Sequence, residues 1–407
     1  MVVIILAISG ASRFGGAGGL LGNDNDSLGS EWSLSERERF DDVMETILIE
    51  LESVCHDEQN FSIKFFKMDQ IVANKAKDNG QDAKQAKAAM EEARNMMAES
   101  FPTLENELLL FISAYEKADS FFTLHALVRL SKHVLSAQDT GSFLAITLGL
   151  VLVKIKRNFD RFMEAQKRSI EEARAPRGRA KCGILPFVSN FEKFSDTTES
   201  IFRNSERRSD LEKWYTSLVM EMVTSINRIS REHTKTPAEV VKMENFHHLH
   251  SLLATMKIPM LDVARKDVKQ RYNDALKNYV TQYFGRPLDK LNGFFDGIQQ
   301  LVATGVKESE ISYQLAYSKQ ELRKVITLYP GREVRKGLDH LYKKVERHLS
   351  EEENLIQVVW RAMQEEFIQQ YKCIEDLIQR CYPGSQIALD FTINDVLDYF
   401  SDIARSH

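Results

Sequence analysis

The stretch SLSERERFDDVMETILIELESV, residues 33–54, shows most clearly how this chain folds. Ser33 and Glu36 have the spacing of a capping box, in which a hydroxyl and a carboxylate satisfy backbone N–H groups at a helix start. Seven apolar residues follow at intervals of three and four: Phe40, Val43, Met44, Ile47, Leu48, Leu51 and Val54. Because this spacing brings residues to one side of an α-helix, the stretch predicts a long helix with one apolar stripe.

Helix-start signals recur along the chain, whereas signals for strands hardly appear. The further starts are TPAE at residues 236–239, SKQE at 318–321, SEEE at 350–353, and the pair Thr392 and Asp395. In the first of them we expect Thr236 to cap the helix, with proline at the first helical position. The sequence therefore predicts an all-α fold.

Prolines and glycines mark where the helices should be interrupted. The 407 residues include only 19 glycines and 8 prolines, so long helices can run between the breaks. Pro176, Gly178, Gly183 and Pro186 lie close together, and GRP at residues 285–287 marks a second break. We therefore expect a flexible tail over residues 1–30 and consecutive helical bundles over residues 31–175, 187–285 and 286–407.

Bulk properties exclude several classes of protein. A net charge of −5 argues against a general nucleic-acid binder, whose binding domain is usually basic. The four cysteines form no C-x-x-C pair, so we interpret them as reduced thiols of a cytosolic protein. The closest approach to a membrane span, residues 143–153, has half of the roughly 20 apolar residues that a bilayer requires. We predict a buried core helix there instead.

The beginning of the chain has an unusual composition. An apolar run at residues 2–8 is followed by six glycines between residues 10 and 22. A signal peptide would carry basic residues before the apolar run, and here only Met1 precedes it. A dinucleotide-binding loop would require further βαβ units, and a phosphate-binding loop would require Lys followed by Ser or Thr. We interpret the region as a flexible tail. A dinucleotide-binding enzyme is the least supported of the three functions considered for this chain, after the scaffold and the membrane-binding module described below.

Catalytic signatures are missing from the sequence, which contains no nucleophile elbow. The sharpest cluster is His247, His248 and His250, of which the first and third share one side of a helix. Only Glu244 has a spacing that could add a metal ligand, and no H-E-x-x-H motif is present. We therefore predict no enzyme activity, no catalytic residue, no metal site and no cofactor.

Charge is distributed along the chain in blocks. Residues 24–58 carry a net charge of about −10, residues 154–181 about +6 and residues 319–347 about +5. Such blocks can be solvated helix faces, can steer subunits together or can attract anionic lipid. The second block supplies our candidate site, a patch for anionic lipid or for a partner protein, which consists of Lys154, Lys156, Arg157, Arg161, Lys167 and Arg168.

Several segments together resemble a known family. They are EWSLSERERF at residues 31–40, KMENFHH at 242–248, SYQLA at 312–316, KQELRKVI at 319–326, KGLD at 336–339, EENL at 352–355 and RCYPGS at 380–385. From about Leu28 to His407 the chain resembles the C-terminal portion of exocyst complex component one, the family of the Sec-three subunit. The family's pleckstrin-homology domain and coiled coil have no match here, so we do not expect its main phosphoinositide site in this chain.

This resemblance implies an elongated rod of consecutive helical bundles, as in other multisubunit tethering complexes. It implies a scaffold subunit that tethers secretory vesicles to the plasma membrane before SNARE-mediated fusion, in exocytosis. The implied location is cytoplasmic and peripheral at that membrane. Other exocyst subunits are the implied partners, with SNARE proteins and small GTPases as further candidates and no nucleic acid. The alternative hypothesis is a peripheral membrane-binding helical module that uses its basic patches on anionic lipid.

Overall fold

The computed structural model describes residue 21 and residues 34–68, 80–137, 141–176, 181–284, 288–350 and 354–407. Every regular element within these ranges is a helix, which confirms the predicted all-α fold. The predicted tail over residues 1–30 lies outside the described residues except for Leu21. The capping boxes predicted at residues 33–36 and 350–353 and the break at residues 285–287 also lie wholly or partly outside them.

Contacts within the chain define two compact units. The first comprises Met1–Ala173 and Ser189–Glu221, and the second comprises Arg174–Val188 and Met222–His407. The division into three bundles that the sequence suggests stays a prediction.

Long helices build the first unit, and α1 and α5 make contacts with several of the others. The elements are α1 (Leu34–Phe65), α2 (Gly80–Ser100), α3 (Leu104–Ala118), α4 (Phe122–Ser136), α5 (Phe143–Glu172), α6 (Pro186–Phe202) and the first part of α7 (Arg208–Glu232). Helix α1 packs against α2, α4 and α5, and α3 packs against α4 and α5. This arrangement covers one long side of α5.

The apolar stripe of α1 is buried over only part of its length. Phe40, Met44 and Leu48 are buried, and the Phe40 ring lies 4.2 Å from the ring of Phe122, centre to centre. Val54, which the spacing assigns to the same stripe, is half exposed. The buried line continues through Cys55 instead, because each residue turns the helix by about 100° and a four-residue step drifts round the axis. The prediction of one stripe is therefore wrong at its C-terminal end.

A buried ion pair joins the start of α1 to the corner between α3 and α4. The Arg37 Nε atom donates to Asp119 Oδ2 at 2.6 Å, and both side chains are almost inaccessible to water. The other carboxylate oxygen of Asp119 accepts from the backbone N–H of Phe121 at 2.9 Å. The guanidinium also lies 4.6 Å from the centre of the Phe121 ring. These contacts fix where α1 crosses the corner.

The second unit contains helices of very different lengths. After the last part of α7 come α8 (Ala238–Met256), α9 (Asp262–Phe284), α10 (Asp289–Ala303), α11 (Glu308–Ile311), α12 (Lys319–Thr327), α13 (Gly331–His348), α14 (Leu355–Cys381) and α15 (Ile393–Ser406). Single turns of 3-10 helix occupy Pro259–Leu261 and Leu315–Tyr317. Helix α8 packs along α9, and α14 contacts α9, α11, α13 and α15.

Aromatic side chains from three helices fill the core around α14. The Trp360 ring lies 5.0 Å from the ring of Tyr342 on α13 and 4.5 Å from that of Phe400 on α15. Its Nε1 donates to the Phe400 carbonyl at 3.0 Å, and the Tyr371 hydroxyl donates to the Phe391 carbonyl at 3.0 Å. The indole N–H and the tyrosine O–H thus have hydrogen-bond acceptors, so burying these rings leaves neither group unpaired.

Three of the predicted helix starts are confirmed, but the cap predicted at Thr236 is wrong. The Ser318 hydroxyl accepts from the backbone N–H of Glu321, and Thr392 with Asp395 forms a complete capping box. Helix α8 begins at Ala238 without a side-chain cap, and the Thr236 hydroxyl instead accepts from the backbone N–H of Cys182 at 3.0 Å. The local pattern is therefore overridden by a contact 54 residues away in the sequence.

Candidate partner-binding surface

Helix α5 is apolar on two sides, of which only one is covered. The covered side includes Leu144, Leu148, Val151 and Leu152. On the opposite side Ile146, Leu150 and Val153 are 41%, 51% and 52% exposed. The prediction that residues 143–153 form a buried core helix is therefore wrong for this second side. The neighbours of α5 reach only part of its circumference, so an apolar sequence all round does not bring burial all round.

The exposed apolar side of α5 borders a groove against α2. Its volume is about 460 Å³, and Ile146 and Leu150 form part of its wall. Phe101 and Phe143 also line it, with nearly parallel rings 6.1 Å apart. Glu91, Arg94 and Glu105 contribute charged groups at the same groove. An apolar floor with charged edges is a suitable shape for an amphipathic helix.

Three of the six cations predicted as a patch have polar partners on nearby side chains. The Lys154 ammonium lies 2.6 Å from Glu105 on α3, and the Lys156 ammonium lies 2.6 Å from Asp160. Arg161 donates to the side-chain oxygen of Asn158. Lys154 and Lys156 are two residues apart and so point in directions that differ by about 160° round the helix. The six residues therefore do not form one continuous patch.

The other three cations of the set are Arg157, Lys167 and Arg168. Within the described part of the chain they form no ion pair, and the two arginines are exposed. A line drawn along α5 from Leu150, parallel to the helix axis, passes within about 20° of Arg157, Arg161 and Arg168, measured as rotation round that axis. That line runs about 27 Å from Leu150 to Arg168 at 1.5 Å per residue. Whether the patch binds anything stays a prediction, but its geometry is that of an apolar stripe continued by arginines.

Charges near this line moderate its positive character. Glu164 is exposed and lies about 40° away from the line, and Asp160 accepts from both Lys156 and the Trp214 indole N–H. The line of arginines therefore has carboxylates beside it.

The acidic block that the sequence places on α1 is partly neutralised inside the first unit. Arg129 on α4 donates to both oxygens of Asp41 and lies 3.4 Å from Glu45. His133 lies between Glu45 and Glu52, at 3.2 Å and 2.7 Å. Burial alone would raise the pKa of Asp41, but hydrogen bonds from Arg129 and His125 and their charges hold it well below its usual range. These carboxylates therefore stabilise the contact between α1 and α4.

The histidine cluster on α8 is not assembled as a metal centre. The carboxylate of Glu244 accepts from the backbone N–H and hydroxyl of Ser350 at 2.5 Å and 2.8 Å. His247 lies against the ring of Tyr272, 5.3 Å away. Burial lowers the pKa of His250, as do the charges of Lys269, Arg265 and His247. Within the part of the chain that the structure describes, no three His, Cys, Asp or Glu residues are placed to hold a metal ion.

The outward side of α5 is the feature that sequence reasoning missed, although a signal for it was present. Ile146, Leu150 and Val153 follow one another at intervals of four and three, just as the buried Leu144, Leu148 and Val151 do. Two such series in one helix indicate two apolar sides. No helix among the residues placed in the structure is both long enough and apolar enough to cross a membrane.

Comparisons with known proteins concern nearly the whole chain. Residues 52–384 match a family described as "Exocyst complex component Sec3, C-terminal". Exocyst complex component 1 of Drosophila melanogaster is 52% identical over 96% of this chain and 46% of its own length. The protein of the same description from Mus musculus is 47% identical over 98% of this chain and 46% of its length. Exocyst complex component SEC3A of Arabidopsis thaliana is 25% identical over 63% of the chain.

The chain thus spans about half the length of the first two of these relatives. No solved structure matches it.

Proposed function

This chain belongs to the family of the C-terminal part of exocyst component Sec3, and on that premise we propose that it is a non-enzymatic scaffold which helps to tether secretory vesicles to the plasma membrane before SNARE-mediated fusion. It acts from the cytoplasm, at the periphery of that membrane, by binding other exocyst subunits. The names of its relatives support the assignment to the exocyst, and the all-helical fold suits a scaffold.

The observation that carries the binding role is the outward line on α5. Ile146, Leu150 and Val153 expose apolar surface that water solvates poorly, and Arg157 and Arg168 extend the line with cations that have no ion-pair partner among the described residues. The complementary partner is an amphipathic helix of another exocyst subunit, with apolar residues at one end and acidic residues at the other. SNARE proteins and small GTPases are further candidate partners for the same surface.

The test is affinity purification of this chain from cells, followed by mass spectrometry of the exocyst subunits that accompany it. Substituting Leu150→Glu together with Val153→Glu places two charges on the apolar part of the line. Both side chains are half exposed, so the helical circular dichroism should be unchanged. Recovery of the subunits should fall by at least about tenfold, since a central apolar anchor contributes about 2 kcal/mol or more to binding.

A matched control is Val263→Glu, which adds a charge at an exposed valine of α9. This variant should recover the subunits as well as the unchanged chain does. Equal recovery with the α5 variant and with the control would remove α5 from the binding surface. Loss of recovery with both would show only a general effect of added charge.

Peripheral binding of anionic lipid is the second candidate function, because Arg157, Lys167 and Arg168 form no ion pair in the described chain. Reversing these three charges should reduce flotation with phosphatidylserine-containing vesicles if the patch binds lipid. An unchanged flotation would exclude this patch from membrane binding and would leave the partner role untouched.

A further inference from the structure

The turn between α11 and α12 displays two large apolar side chains to solvent. Tyr313 and Leu315 are 87% and 90% exposed, more than any other large apolar residue that the structure describes. They belong to the SYQLA segment at residues 312–316, and neither packs against the core of the second unit. Exposed apolar side chains occur singly on many proteins, but two at the tip of one turn form a local apolar protrusion.

The turn that carries them is held firmly on both sides. The backbone N–H groups of Tyr313 and Gln314 donate to Glu310 and Ile311 at 3.1 Å and 3.0 Å, so the α11 end is closed by tight turns. On the other side the Tyr382 hydroxyl donates to the Tyr317 carbonyl at 2.7 Å. These bonds anchor both ends of the segment.

The Tyr317 side chain packs against helix α10. The Tyr317 ring lies 5.3 Å from the ring of Phe294, and a Cβ atom at Gly297 would overlap its hydroxyl. Ser318 then caps α12 directly after the turn. A segment anchored in this way keeps Tyr313 and Leu315 displayed instead of letting them collapse onto the surface.

Positive charge lies next to the apolar protrusion. Lys319, Arg323 and Lys324 are exposed on α12, and Lys307 is exposed just before α11. Two of the nearby carboxylates are paired, Glu308 with Arg380 and Glu321 with Lys324 at 2.7 Å. Glu310 is exposed and has no ion-pair partner within the described ranges. The surroundings of the turn therefore have a small positive excess.

We propose that this turn contacts membranes: Tyr313 and Leu315 insert into the headgroup region of an anionic bilayer, while Lys319 and Arg323 bind lipid phosphates. Tyrosine is enriched at the interface between headgroups and acyl chains, where its ring lies in an apolar layer and its hydroxyl in a wet one. Leucine adds apolar area that water no longer solvates after insertion. The cations supply attraction to an anionic leaflet, which a protruding apolar turn alone does not.

This occupant fits better than a protein partner because the two residues are almost fully exposed on a turn with basic neighbours, and a bilayer needs no matching pocket. The site also differs from the basic patch on α5, and it does not depend on assembly with exocyst subunits. Failure of one proposal can therefore be observed separately from failure of the other.

The experiment measures co-sedimentation of the 407-residue chain with vesicles of phosphatidylcholine containing about 20% phosphatidylserine, a typical anionic content. The unchanged chain should bind these vesicles and bind less as salt is raised, because exposed charges are screened. Tyr313→Ser with Leu315→Ser should reduce the partition coefficient at least about tenfold, since two apolar anchors are lost. The matched control Val263→Ser removes an exposed apolar side chain elsewhere and should bind normally.

A second measurement reports insertion directly. Leu315→Cys, in a Cys373→Ser background that removes the exposed native thiol, carries an environment-sensitive fluorophore. Its emission should shift to the blue on adding anionic vesicles and should not shift with pure phosphatidylcholine. The proposal is overturned if the shift is absent and the double serine variant binds like the unchanged chain. A shift caused by purified exocyst subunits without lipid would also overturn it, in favour of a protein partner.

Discussion

Removing the Phe40 ring tests where the core of the first unit lies. Phe40 is almost completely buried, with ring centres of Phe122 and Tyr115 only 4.2 Å and 4.6 Å away. The substitution Phe40→Ala leaves a cavity between α1, α3 and α4 and should lower the free energy of unfolding by about 3–5 kcal/mol. Val54 belongs to the same predicted stripe but is half exposed, so Val54→Ala should cost about 0.5 kcal/mol or less.

Hydrogen exchange measured by mass spectrometry resolves the two units, which a single unfolding curve does not. In peptides from α1, α3 and α4, Phe40→Ala should accelerate exchange of the slowest amides by between about 10² and 10⁴, because each 1.4 kcal/mol is a factor of ten. Val54→Ala should change it by about threefold or less. Similar acceleration by both variants would refute the assignment of Phe40 to the core and of Val54 to the surface.

Other substitutions follow from local geometry and charge. Gly149→Ala should raise the free energy of unfolding by about 0.5–1 kcal/mol in urea titrations, because the added methyl group on α5 meets no atom within 4 Å. Gly297→Ala should bring no such gain, since the new Cβ would overlap the Tyr317 hydroxyl. Asp41 has a pKa held below its ordinary value in the fold, so the stability it contributes is present above about pH 4 and is lost as the pH falls through the folded pKa. Asp41→Asn should therefore flatten the loss of stability of the first unit below pH 4, and an unchanged acid profile would contradict the role of the Arg129 contact.

Much of the fold could be predicted from local sequence. The three- and four-residue spacing of apolar residues gives the helices, and the hydroxyls of Ser318 and Thr392 cap them as the motifs indicate. These features depend on residues within one or two turns of each other, so the sequence contains all the information needed. The cap predicted at Thr236 failed because its hydroxyl is used by Cys182, a contact that no local pattern shows.

The candidate surfaces were harder to predict because periodicity shows which side of a helix is apolar but not what covers it. The run at residues 143–153 is apolar on two sides. Which side stays exposed depends on where the helices from α1 through α4 pack against α5. Tyr313 and Leu315 are residue types common in cores, yet both are almost fully exposed in a segment whose Tyr317 ring packs against Phe294 of α10. Exposure is thus a property of the tertiary structure.

The contact between Asp41 and Arg129 has a consequence for how this family can vary. The two residues are 88 positions apart in the sequence, yet Arg129 donates to both carboxylate oxygens of Asp41, and each charge favours the ionised form of the other. Replacing either residue by a neutral one removes the direct partner of the other, which then keeps only its weaker contact with His125 or Glu45. Selection should therefore accept the two changes together more readily than either alone. Among descendants of a common ancestor, positions 41 and 129 are therefore expected to change as a pair.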